Sequence, residues 1–130
     1  MASDDERERL RELSRRVLRL HKLLLDRERR TYEERHGPVP ATKLFQLVLH
    51  DPQFAWLRSL SAMIAQIDAL VDAEELADDD AQRAFRETYR LLKSGGEGDF
   101  RDKYRAALQD SPDVVMAHAD VSRVLPRDGA

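Results

Sequence analysis

Chemistry near neutral pH falls in this chain to four histidines, because there is no cysteine and only histidine titrates in that range unperturbed. His21 lies in the middle of the apolar arc of a predicted first helix, and His118 lies on the inner face of a predicted sixth. Either could be a ligand or a proton relay. Both positions equally suit a core histidine with one ring nitrogen hydrogen-bonded. His36 and His50 fall at predicted helix C-terminal ends, where the helix dipole favours an imidazolium. Glu33 and His36 form one Glu-x-x-His. A carboxylate-bridged di-iron bundle needs two such motifs plus a Glu from each of two further helices, and the second motif is missing. No serine sits in a nucleophile-elbow context. The run Gly95-Gly96-Glu97-Gly98 lacks both the Lys-Ser/Thr and the preceding strand of a phosphate-binding loop. No nucleophile, base and orienter can be named together. The expectation is therefore no catalytic residue, no cofactor and no metal.

The charge pattern says more. Net charge is −3. Residues 1–6 carry −3, residues 7–30 carry +6, and residues 31–130 carry −6. Such polarisation bears on partners and association rather than on fold. Within the basic segment, Arg11, Arg15, Arg19 and Lys22 fall within about 80° of a helical arc, opposite a leucine stripe. No acid occurs between Glu12 and Asp26. A stripe of this kind could follow nucleic-acid phosphates or an anionic membrane surface. It could as well be a solvated face, or one answered by the acidic segment 72–80. Net acidity and the absence of aromatic–basic interleaving count against nucleic acid.

A second candidate region is a corner. Between Arg35 and Lys43, Gly37, Pro38 and Pro40 break the chain beside the aromatic residues Phe45, Phe54 and Trp56. Functional residues are often carried on loops fixed by a rigid scaffold. Arg35, His36, Lys43, His50 and Asp51 are the candidates there.

The elements that must position these residues are all helical. Leu10, Leu13, Val17, Leu20 and Leu24 follow a 3-4-3-4 spacing, with Leu18, Leu25 and Tyr32 widening the stripe. This predicts a helix from Asp5 to His36, stopped by Gly37 and Pro38. At about 1.5 Å per residue it is long enough to project beyond the globule at its charged N-terminal end. Leu10 and Leu13 would then be uncovered, and a second copy could hide them in a homodimer through this helix. Residues 44 to 71 are the least charged stretch and the expected core. They hold a short helix Thr42–His50, a new start at Asp51-Pro52 as N-cap and N1, and a central helix to Ala73. Ala55, Ala62 and Ala69 line a second face of that helix, where another backbone could approach. Further helices are predicted over Asp80–Lys93, Asp99–Gln109 and, from the Ser111-Pro112 start, to Leu125. No alternating strand pattern and no repeat occur.

The fold class expected is all-α: one domain over residues 1–130, a bundle of five to six helices with a long N-terminal helix and ends frayed at 1–6 and 126–130. The acidic start lacks a secretory pattern, and no run approaches the roughly 18 uncharged apolar residues of a membrane span. Absence of cysteine fits the cytoplasm, and 18 Arg against 4 Lys fits a GC-rich bacterial genome. The function expected is a non-catalytic interaction or regulatory protein working through protein–protein contacts. A nucleic-acid-binding protein using the basic face is the alternative, and a metal-binding bundle or enzyme comes third.

Overall fold

The computed structural model describes residues 4–93 and 98–126. They form six α-helices and one 3-10 helix, with no strand among them. In chain order these are α1 (Asp4–His36), α2 (Ala41–His50), the 3-10 helix (Pro52–Leu57), α3 (Arg58–Asp72), α4 (Asp80–Leu92), α5 (Gly98–Asp110) and α6 (Pro112–Ser122). The all-α bundle with its long first helix is what the periodicity predicts. Asp4 to Glu6, expected to fray, are already helical. The predicted break over residues 94–97 and the outermost ends lie outside the described residues.

The helix stops follow from local chemistry. Gly37 takes φ +82°, a conformation that residues with a Cβ rarely adopt, and its N–H closes α1 on the Glu33 carbonyl at 2.8 Å. Asp51 is extended and accepts from the Gln53 N–H at 2.8 Å, with Pro52 next, so the chain restarts rather than bending through one kinked helix. The first turns after Pro52 are 3-10, not α, which the sequence did not reveal. Ser111 caps α6 by accepting from the Val114 N–H.

α1 is the axis. Leu10, Leu13, Val17, Leu20 and Leu24 have no exposed surface at all. They pack against α3 and α6, with α4 and the 3-10 helix at the flanks. The expected projection of its N-terminal end is therefore corrected. Arg9 lies over the Phe85 ring of α4 at 4.8 Å. Arg7 donates to the carbonyls of Val71 and Ala73 at 2.5 and 2.8 Å, filling the orphan acceptors at the end of α3. Leu10 and Leu13 are not uncovered, because the end of α3 and the α4 region lie over them.

The expected core stretch divides in two. Phe54, Trp56, Leu57, Leu60, Met63, Ile64 and Ile67 are buried. Phe45 and Leu49, on α2, are 62% and 46% exposed. The stretch Pro52–Asp72 is apolar and long enough, by length and composition, to pass for a spanning helix. Its buried residues instead form the bundle's core, while its alanine face, with Ala62 and Ala69, faces outward uncovered. On α6, Val115 is exposed and Ala117 takes the inner position.

Candidate functional site

The basic face of α1 was the first candidate, and its arginines are largely answered. Arg11 pairs with Glu8 at 2.8 Å, and Arg15 with Glu12 at 2.8 Å. Arg16 meets the other Glu12 oxygen at 2.9 Å and donates to the Asp120 carbonyl of α6. Arg19 stands 4.0 Å from the Asp120 carboxylate. The hydrogen bond from Arg16, then the charge of Arg15, holds the Glu12 carboxyl below its usual range. The answering acids are those one turn earlier on α1 and one on α6, not the acidic segment 72–80. Lys22 alone of the four is exposed and outside every ion pair among the described residues.

The corner is rigid. Arg29 donates to the Val39 carbonyl, and the Val39 N–H donates to Glu33 Oε2 at 2.7 Å. Both backbone groups of Val39 are thus held by one turn of α1, and Val39 is buried between the two prolines. His36 packs its ring on Tyr32 at 4.2 Å, and Tyr32 packs on Phe54 at 5.9 Å. Asp51 is used as a cap. Arg58 donates to the Leu49 carbonyl at 2.8 Å, closing the end of α2. Arg35, His36, Lys43 and His50 are exposed. They share a region but do not converge on a common cleft. What the corner presents is α2 itself, which buries only Leu47 and turns Phe45 and Leu49 outward.

His21 Nε2 lies 2.8 Å from the Ser61 hydroxyl, and burial pushes its pKa down. His118 Nδ1 lies 2.6 Å from the Tyr104 hydroxyl. Burial, then the charge of Lys93, pushes His118 down, while burial pushes the Tyr104 hydroxyl up. Both groups are therefore uncharged at neutral pH. When Tyr104 donates to Nδ1, the ring proton sits on Nε2.

Sequence reasoning missed what surrounds this pair. Lys93, Arg101, Tyr104, Arg105 and His118, with Leu92 and Leu108, line a cleft of about 230 Å³ where α4, α5 and α6 meet. Among the described residues Arg101 pairs only with its neighbour Asp102, at 3.6 Å, and Lys93 lies over the Tyr89 ring. Arg105 enters no ion pair among the described residues. One sequence signal existed: Arg101 and Arg105 are like charges at i and i+4, a mildly unfavourable arrangement on a helix. Behind the cleft runs a row of rings, with Tyr104 stacked on Phe100 at 5.4 Å and Phe100 against Trp56 at 5.6 Å.

Among the described residues, no group of three or more His, Asp or Glu side chains gathers as metal ligands would. Compared with known protein families, characterised proteins and solved structures, the chain matches none significantly.

Proposed function

We propose that this protein is a non-catalytic interaction module that presents α2 to a protein partner. The observation that carries the reading is Phe45 and Leu49, one helical turn apart and both exposed, on a helix that buries a single residue. A pair at i and i+4 is the spacing by which a helix offers apolar anchors. The corner supports this role because its hydrogen bonds hold α2 in place before any partner arrives, which lowers the ordering cost of binding. Lys43, two residues before Phe45, and Arg58, bonded to the Leu49 carbonyl, put positive charge beside the apolar pair, so the partner it fits is an acidic segment with its own apolar residues. A cytoplasmic setting and a bacterial source are compatible with this proposal and are not needed by it.

A homodimer through α1 loses its motive, since Leu10 and Leu13 are buried. Nucleic-acid binding through the same helix has fewer unanswered cations than its sequence suggests. The test is proximity cross-linking in the native host with wild type, with Phe45→Ser/Leu49→Ser and with Arg15→Glu/Arg19→Glu. The reading requires one set of partners captured by wild type, kept by the arginine reversal and lost by the α2 variant. Capture unaffected by the α2 variant refutes it.

A further inference from the structure

Many of the described arginines have a carboxylate within reach. Arg11, Arg15, Arg16, Arg27, Arg29, Arg83 and Arg123 each pair with an acid on the same helix or a neighbouring one. At the junction of α4, α5 and α6 the pattern weakens: Arg101 meets only its chain neighbour Asp102, at 3.6 Å, and Lys93 and Arg105 meet no carboxylate among the described residues. Lys93 from the end of α4, and Arg101 and Arg105 from successive turns of α5, border one cleft whose lining, among the described residues, includes no acid. They do so in the part of the chain, residues 31–130, that is acidic by six charges. Carboxylates are plentiful there, and none of the described ones lines the cleft.

The inner wall adds polarity without charge. Tyr104 is buried, its hydroxyl held by His118 Nδ1 at 2.6 Å. That bond fixes the ring of His118, and a ring that accepts at Nδ1 has its donor at Nε2. Leu92 and Leu108 complete an apolar floor. The described lining thus offers three cationic donors, a neutral wall and no negative group, over a volume that holds a small head group rather than a large ligand. The chemistry it matches is an oxyanion, which several N–H donors can share in charge-assisted hydrogen bonds.

We propose that the cleft between α4, α5 and α6 binds a phosphate-type oxyanion through Lys93, Arg101 and Arg105, against the hydrogen-bonded Tyr104–His118 pair. The occupant is either free phosphate or a phosphate group on a small organic body. The floor of Leu92 and Leu108 has room for the near end of such a body.

The test uses the full chain with inorganic phosphate and with phenyl phosphate, at ionic strength held constant with chloride. The His118 ring resonances are followed by NMR. Saturable shifts with either probe are expected, together with an upward shift of the His118 pKa as the anion favours the imidazolium. Tighter binding of phenyl phosphate would assign the floor to an organic body, and equal binding would assign the site to phosphate alone. Arg105→Gln should weaken binding roughly tenfold, as expected for one charge-assisted bond. Arg105 is exposed, so this variant keeps the fold, and an unchanged circular dichroism spectrum checks that. Arg11→Gln, on the far basic face, should bind like wild type. Shifts that fail to saturate, or that Arg11→Gln reduces as much as Arg105→Gln, overturn the proposal.

Discussion

On α1, Arg11, Arg15 and Arg19 each stand near a carboxylate, whereas Lys93 and Arg105, at the junction of three short helices, stand near none among the described residues. The first group is conspicuous in the sequence because it is dense and regular. The second is inconspicuous because its members are scattered over 13 positions, counted from residue 93 to residue 105, on two helices. The difference teaches that a run of basic residues on one helix carries its own remedy. Acids one turn away neutralise it through local geometry alone, as Glu8 and Glu12 do. Cations brought together by tertiary packing have no such guarantee, and where no acid accompanies them a site for an external anion remains.

The comparison fails if α1 is not what it looks like from below: a core element whose charged outer face is incidental. Leu13→Ala tests this with the largest expected effect. Leu13 is fully buried, and such truncations typically cost about 2–5 kcal/mol. Urea denaturation should show that loss. A cost under about 1 kcal/mol would mean that the N-terminal half of α1 is loosely held, and would revive the homodimer through that helix.

Arg7 is the next test, because it is an α1 cation that the structure employs rather than merely neutralises. Its guanidinium fills carbonyls at the end of α3. Arg7→Ala leaves those acceptors to water or unpaired, at a cost of roughly 1–3 kcal/mol. The same substitution at Arg15, whose partner is another exposed side chain, should change stability by less than about 1 kcal/mol. Thermal melts of both variants decide whether position in the fold, rather than charge density, ranks these arginines.

A pH titration then probes the buried side of the cleft. His21 and His118 both have pKa values pushed below the ordinary 6.5, chiefly by burial. The unfolded chain therefore binds protons in a range where the folded chain does not. Stability should be level above about pH 7 and should fall as pH drops through the ordinary histidine range toward the lowered values. His118→Asn should reduce that slope. A slope of the opposite sign would mean that an acid faces His118, and the cleft would no longer lack a negative group.

How much of this could be read beforehand depends on how local each cause is. The α1 stripe, its stop at Gly37 and the caps at Asp51 and Ser111 are decided within a few residues, and they were legible. The exposure of Phe45 was not, because an apolar stretch does not say on which side a neighbour will be missing. Trp56 was placed correctly in the core, yet its indole N–H has no hydrogen-bond partner among the described residues. Lys93, Arg101 and Arg105 read as ordinary solvated positions, and His118 as an inner-face histidine without a named partner, until the helices met.

The smallest expected effect separates the two cationic regions most cleanly. Reversing Arg15 and Arg19 to Glu places new carboxylates beside Glu12 and Asp120, so attraction becomes repulsion on an exposed face. That should destabilise by under about 1 kcal/mol and leave the response to phosphate untouched. Arg105→Gln should do the opposite. It removes a cation that repels Arg101 one turn away, so stability should hold or rise by a few tenths of a kcal/mol at low salt. The gain should fade as added salt screens the pair. A loss of stability on Arg105→Gln would mean that Arg105 already has a partner within the fold, and the contrast with α1 would vanish.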